Sequence, residues 1–174
     1  AVVAFGGDDT EDPKPTQAVA ADVSTATTTP ADPAAVAGSA DIVAITAAMP
    51  PVLRKAVGNS CKAADAVEAQ PSGTKNVSCV VAPSDQLVRG LITSGTSVQV
   101  GSWIEPSPGG YEQQWRREDA SAVSRRDSGY ARVQQFGSGY TTVTYIDNVG
   151  GLFVKASGFK DQASALEFLT RCSL

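Results

Sequence analysis

Three β-rich segments in the carboxyl-terminal third decide the fold: YARVQQF (130–136), YTTVTYI (140–146) and LFVKA (152–156). β-Branched and aromatic residues, which favour strands, dominate these segments. The glycine-containing sequences GSG (137–139) and DNVGG (147–151) separate them and are typical of tight turns. The pattern predicts an antiparallel meander built from these segments.

A helix is predicted directly after this meander. The segment from Asp161 to Cys172 has apolar residues at helical spacing, namely Ala165, Leu166, Phe168 and Leu169. Glu167 and Arg171 have the spacing of an i,i+4 ion pair, which supports a helix. We expect this helix to close the domain against the sheet.

The central part of the chain predicts the other elements. Strands are expected at 76–82 and 96–104, after a polar loop at 62–75. Helices are predicted over 41–58, with an interruption at Pro50-Pro51, and over 111–123.

One more helix is expected to begin at Pro83-Ser84. Ser84 would be its N-cap, and its apolar face would hold Leu87, Val88, Leu91 and Ile92. The predicted fold class is therefore α+β, with a small antiparallel sheet of about five strands packed with three or four helices.

The amino-terminal part has a different composition from the rest. Residues 1–38 carry six carboxylates against Lys14 alone, within a chain whose total charge is −4. Proline, threonine and alanine dominate this stretch, which has too few large apolar residues to offset the entropy of ordering. We expect an acidic, disordered tail or linker at 1–40 and a single α+β domain at 41–174.

Two interpretations apply to the short apolar run Ala1–Phe5. It is either the outer end of a membrane anchor or signal helix, or a strand or mature amino terminus.

Three cysteines bear on the cellular compartment. Cys61 and Cys79 bracket the polar loop, and we expect a disulfide between them, contributing roughly 3 kcal/mol in the chain-entropy model. In a reducing cytosol the same pair would be free thiols. For Cys172 three alternatives remain open: burial as a small hydrophobe, a bond to a second copy of the chain, or replacement of one of the other two cysteines.

Several functional classes are disfavoured by composition. The chain has no histidine, the commonest general base and metal ligand, and its cysteines do not fit a zinc site. Two S-x-x-K sequences, at 72–75 and 157–160, lack the companion motifs of the penicillin-recognising enzymes. The near-neutral charge of the folded part argues against nucleic acid as a partner. No catalytic residue, metal or cofactor is predicted.

Trp103, Tyr111 and Trp115 lie close together in sequence, next to Arg116 and Arg117. If the domain has a ligand groove, we expect it between the end of the predicted strand and the following helix. The arginines would then hold a phosphate or a sugar acid. The alternatives are that the aromatic residues fill the core and that neighbouring carboxylates neutralise the arginines.

The sequences AVVAFGGDD (1–9), MPPVLR (49–54) and VSCV (77–80), with Cys61, carry a resemblance. They resemble the extracytoplasmic part of actinobacterial membrane proteins, and in particular the outer sensor region of serine/threonine protein kinases. The resemblance covers the tail and about residues 49–82, it does not extend past Val81, and the chain has no kinase residues.

The resemblance implies a non-catalytic extracytoplasmic domain of a membrane-anchored bacterial protein. Such a domain would bind or sense an envelope ligand or a protein partner, and would contact the membrane only through an anchor preceding it. The alternative is a structural subunit of a virion or cell-surface assembly, with an N-terminal arm around a neighbouring copy.

Overall fold

A computed structural model describes residues 33–65, 74–137 and 140–174, with side chains from residue 40 onward. Within these residues there are four α-helices: α1 (Pro33–Ala48), α2 (Pro51–Val57), α3 (Tyr111–Asp119) and α4 (Gln162–Cys172). The strands are β1 (Lys62–Ala64), β2 (Asn76–Val81), β3 (Val98–Ile104), β4 (Val123–Arg125), β5 (Gly129–Phe136), β6 (Tyr140–Asp147) and β7 (Leu152–Phe159). The predicted α+β class is confirmed.

Parts of the sequence interpretation fall outside the described residues. These parts are the tail up to residue 32, including Ala1–Phe5, and residues 66–73 of the polar loop, including Ser72. Helix α1 begins at Pro33, before the predicted domain boundary at residue 41. In the described part of the chain, no helix has the length and apolar character needed to span a bilayer.

All seven strands belong to one antiparallel sheet in the order β1-β2-β3-β7-β6-β5-β4. The predicted meander is confirmed, because β5 pairs with β6 and β6 pairs with β7, with Val143 opposite both Val133 and Ala156. Strand β7 lies in the middle of the sheet, where it also pairs with β3.

The sheet has more strands than predicted. The two additional strands, β1 and β4, are three residues long and form the sheet edges. Strand β1 lies in the predicted polar loop and pairs with β2, while β4 ends the segment predicted as one helix over 111–123. Three residues are too few for an alternation of apolar and polar residues to be recognised in the sequence. These two strands form because each pairs with a longer neighbouring strand.

The predicted helix after Pro83-Ser84 is wrong, because residues 83–91 form successive turns and Ile92 forms a β-bridge with Phe159 of β7. The carboxylate of Asp85, rather than Ser84, accepts a backbone hydrogen bond, from Leu87 N at 2.8 Å. Gly90 has a φ of 77°, which ends helical geometry. Arg171 of α4 donates to the carbonyls of this segment instead, at 3.1 to 3.4 Å.

One face of the sheet, the closed face, is covered by α1, α2 and α4. Its core is aliphatic with few aromatic rings, and includes Leu53, Val77, Val100, Val143, Val154, Phe159, Phe168 and Leu169. Asp161 caps the amino terminus of α4, because its side chain accepts a hydrogen bond from Ser164 N at 2.7 Å. The predicted closure of the sheet by this helix is confirmed.

The opposite face, the open face, is covered only in part. Helix α3 packs a second, mostly aromatic cluster against it, comprising Trp103, Trp115, Val123, Ile146 and Phe153. Beyond α3 this face is polar, and Ser78 and Gln99 are exposed there. A sheet with one covered and one partly solvated face is common among antiparallel folds.

The disulfide between Cys61 and Cys79 is present and joins residues 18 apart in sequence. It ties the segment after α2 to β2 beside the closed-face core. Cys172 is a free thiol, fully buried in that core, which is the first of the three alternatives for it. Burial raises the pKa of this thiol to about 12.

Candidate functional site

Helix α3 and the open face enclose a cavity of about 300 Å³, here called the aromatic cup. Helix α3 contributes one wall and strands β3, β5, β6 and β7 contribute the floor and the other wall. The lining residues are Trp103, Tyr111, Gln114, Trp115, Glu118, Arg132, Gln134, Thr144, Phe153 and Lys155. This volume is at the lower end of the range of about 300–1,000 Å³ typical of small-molecule sites.

Four aromatic rings form the apolar part of the cup. Phe153 is central, because it stacks on Trp103 with ring centroids 3.7 Å apart and meets Tyr111 and Trp115 edge-on at 5.6 and 6.2 Å. Tyr111 and Trp115 are one helical turn apart and pack edge to face at 5.7 Å. The rings support one another, so this wall is held in a fixed shape.

A buried carboxylate anchors Tyr111. The Tyr111 hydroxyl donates to Glu105 Oε2 at 2.8 Å, and Ser107 N donates to Glu105 Oε1 at 3.2 Å. Glu105 is only 4% exposed. Burial, followed by this hydrogen bond and the charge of Glu105, raises the pKa of Tyr111 to about 12.

The turn between β6 and β7 holds Glu105 in place. Glu105 N donates to Gly151 O at 2.8 Å. Gly151 has a φ of 68°, and a Cβ there would lie 2.3 Å from the Glu105 carbonyl oxygen. Glycine is therefore required at this close approach of two backbones.

The charged groups of the cup are unequally paired. Glu118 forms an ion pair with Arg132 Nη1 and accepts a hydrogen bond from Gln114 at 3.4 Å. These hydrogen bonds, that from Arg132 above all, lower the pKa of Glu118. Lys155 is exposed on β7, and no carboxylate among the described residues lies within 4.0 Å of its ammonium group.

Two further hydrogen-bond donors in lining residues are buried without a partner. Within the described part of the chain, Trp103 Nε1 and Arg132 Nε have no acceptor. Buried polar groups normally find a partner, and unsatisfied ones often mark a site where a ligand or water binds. Both atoms are enclosed by protein, so the exposed ammonium group of Lys155, rather than these atoms, can contact a ligand in the cup.

The structure brings three of the five predicted ligand-binding residues together, since Trp103, Tyr111 and Trp115 all line the cup. Arg116 and Arg117 are exposed and do not line it. Arg116 Nε instead pairs with Glu112 Oε1 at 2.9 Å, which was the alternative interpretation of this cluster. The ring packing shows that the tryptophans serve as core, which was the alternative interpretation, while both also line the cup.

Sequence reasoning missed the contribution of the meander. Phe153 and Lys155 alternate with Leu152 and Val154 on β7, so they point to the open face. A lysine within an otherwise apolar strand was the available signal. Arg132 on β5 gave no signal, because only the sheet order places it near α3.

The two S-x-x-K sequences do not form a recognisable Ser–Lys pair in the described residues. The Ser157 hydroxyl lies 3.0 Å from the Thr142 hydroxyl within the sheet, while Lys160 follows β7 and is exposed. Ser72 lies outside the described residues.

A second cleft, of about 360 Å³, lies where β5 extends beyond β4. Its lining includes Asp119, Ser121, Gln134, Phe136 and Gln162. Asp119 is occupied within its own turn, where its carboxylate accepts from Ser121 N at 3.0 Å. This cleft lacks the aromatic wall and the unpaired cation of the cup, so the cup is the stronger candidate site.

Compared with known proteins, the chain matches no family model, no curated protein and no solved structure. The functional argument therefore depends on the geometry of the cup and on the sequence features described above.

Proposed function

We propose that this chain is a non-catalytic extracytoplasmic binding or sensing domain of a membrane-anchored bacterial protein, and that its ligand binds in the aromatic cup. The observation that carries the proposal is the cup itself, in which a fixed aromatic wall lies beside polar side chains and Lys155, a cation with no carboxylate partner among the described residues. Such a combination of apolar surface and a few oriented polar groups is typical of small-molecule sites.

The disulfide supports the extracytoplasmic part of the proposal. Cys61 and Cys79 are joined, and disulfides persist mainly in oxidising compartments. The resemblance of residues 1–9 and 49–82 to the outer region of actinobacterial membrane proteins points to the same location. The alternative, a structural subunit with an embracing N-terminal arm, depends on residues outside those described.

Binding in the cup can be measured without a label, because the chain has two tryptophans and both line the cup. We would titrate the protein with N-acetylglucosamine, N-acetylmuramic acid, D-arabinose and D-glucuronate and record tryptophan emission. We expect a saturable change with at least one of these sugars. Binding of that sugar would then be measured by calorimetry in two variants.

The variant Gln114→Phe fills the cup from its α3 wall and leaves the second cleft unaltered, and Gln99→Phe makes the same change elsewhere on the open face. We expect the first to abolish binding and the second to leave it unchanged. If none of the sugars binds, or if the filled cup binds as well as the native one, the cup is not the ligand site.

Export is tested separately by counting thiols in natively isolated protein. Alkylation of the unreduced chain followed by peptide mapping should label one cysteine, Cys172, and only after denaturation, because this thiol is buried. Three labelled cysteines would remove the main support for an extracytoplasmic location.

A further inference from the structure

We propose that the ligand of the aromatic cup is a small hydroxylated anion, whose carboxylate or phosphate oxygens are bound by Lys155. This inference rests on the proposed function, because it names the chemical class of the ligand that the same cup would hold.

The first argument comes from the rows of side chains that cross the open face. Residues paired across strands share a face, so the registers define these rows. One row consists of Ile146, Phe153 and Trp103, and helix α3 covers it. The adjacent row runs through Arg132, Thr144, Lys155, Gly101, Ser78 and Lys62. Arg132 and Thr144 are largely buried beside α3, whereas Lys155, Ser78 and Lys62 are exposed.

This second row, here called the basic row, contains three cations and no carboxylate. Lys155 lies at its middle, directly beside the aromatic row, so it is the position at which an apolar wall and an available positive charge meet. Its neighbour across one strand boundary is Gly101, whose lack of a side chain leaves that flank of the lysine uncovered. An anion approaching the cup along the basic row reaches Lys155 without steric obstruction from that strand.

The second argument comes from the pairing of the other charges. Glu118 is the carboxylate of the cup, and Arg132 and Gln114 already donate to it. Arg132 is therefore neutralised, whereas Lys155 has no such partner among the described residues. The exposed ammonium group of Lys155 is the donor left over, and it calls for a ligand with negatively charged acceptor oxygens.

The third argument concerns the remainder of the ligand. Gln134 and Thr144 can both donate and accept hydrogen bonds, which suits hydroxyl groups. The volume of about 300 Å³ limits the ligand to the size of a single sugar or polyol ring. A sugar acid and a phosphorylated polyol, such as a lipid headgroup, share this chemistry.

The experiment compares each anion with its neutral counterpart. D-Glucuronate is paired with D-glucose, and myo-inositol 1-phosphate with myo-inositol, with tryptophan emission as the readout. The variants are Lys155→Met and Lys62→Met, the second being the control because Lys62 lies in the same row but at the sheet edge, outside the cup. Gln114→Phe reports whether any binding takes place in the cup, because Gln114 does not line the second cleft.

We expect at least one anion to bind about tenfold or more tightly than its neutral counterpart, since hydrogen bonds to charged groups are the strong ones. Lys155→Met should remove this advantage, and Lys62→Met should retain it. A preference for glucuronate identifies a sugar acid, a preference for the phosphate identifies a phosphorylated headgroup, and either supports the inference.

The inference is overturned if charged and neutral partners bind equally well, or if Lys155→Met leaves anion binding unchanged. In either case, loss of binding in Gln114→Phe would still support the cup as a ligand site, so the proposed function survives. If none of the four compounds binds, the inference also fails, and the proposed function is then decided by its own panel of sugars.

Discussion

The two faces of the sheet show what the same strands can do with different partners. On the closed face, three helices bury an aliphatic core that includes Val77, Val143 and Val154. On the open face, the short α3 covers one row of side chains and only the start of the next, in which Lys155 stays accessible. The closed face supplies stability, while the incomplete cover of the open face creates a cavity. Incomplete burial is thus the origin of the candidate site.

The largest difference in stability between the two faces is expected for a substitution at the centre of the closed face. Phe168 is fully buried and its ring lies 5.0 Å from that of Phe159. We expect Phe168→Ala to lower the free energy of unfolding by about 3–5 kcal/mol, because it leaves a cavity. Val80→Ala on the open face, where the side chain is 36% exposed, should change it by no more than about 0.5 kcal/mol. Urea unfolding of both variants measures the contrast, and equal losses would contradict it.

The disulfide is the next largest contribution on the closed face. The double variant Cys61→Ser and Cys79→Ser should be less stable by roughly 3 kcal/mol, because the unfolded chain regains the freedom of the closed loop. Reduction of the native protein should destabilise it to a similar degree in chemical unfolding. Because neither cysteine lines the cup, we expect ligand binding to persist wherever the variant remains folded.

A smaller effect is expected where α4 supports the turns at 83–91. Arg171 donates to the carbonyls of Gln86, Leu87 and Arg89. Replacing it by alanine should cost about 1–3 kcal/mol, because these carbonyls lose a charged donor. Hydrogen exchange of the amides in 83–91 should rise in Arg171→Ala and less in Arg171→Lys. Unchanged protection of these amides in the alanine variant would show that the turns are stable without the hydrogen bonds from Arg171.

On the open face, the clearest pH effect involves Tyr111. Its pKa is raised to about 12 in the folded protein, against a usual value near 10. A raised pKa stabilises the fold fully below pH 10, and this contribution is lost as the pH rises through about 12. The absorbance of ionised tyrosine should therefore show a late-titrating group that is absent from Tyr111→Phe. If both proteins titrate alike, the Glu105 hydrogen bond is not formed in solution.

The smallest effect is expected for the two arginines that sequence reasoning assigned to the ligand. Arg116 forms an exposed ion pair on α3, and Arg117 is exposed beside it. Exposed pairs contribute little to stability. Arg116→Ala and Arg117→Ala should leave both the unfolding curve and ligand affinity unchanged, in contrast to Lys155→Met. A loss of affinity in either arginine variant would extend the site to the outer side of α3.

Sequence reasoning succeeded where long, regular patterns exist. It predicted the meander, the final helix and the disulfide, because β-rich runs, helical spacing and paired cysteines are local signals. It failed at β1, at β4 and at the turns of 83–91, where the outcome depends on what the segment contacts. Leu87, Val88 and Leu91 are buried as their apolar pattern required. Their backbone carbonyls, however, accept from Arg171 Nη1, Leu91 N and Lys160 N respectively, rather than from a regular helical series of i,i+4 donors.

For the candidate site, the sequence by itself determined that Trp103, Tyr111 and Trp115 would lie near one another, because a strand end and the following helix are adjacent in the chain. Only the tertiary structure decided that Lys155 and Arg132 join them. That outcome depends on the strand order, which places β7 next to β3 and β5 two strands further on. Sequence periodicity fixes which face of a strand a side chain occupies, but not which strand becomes its neighbour, because pairing is settled by burial of the whole sheet.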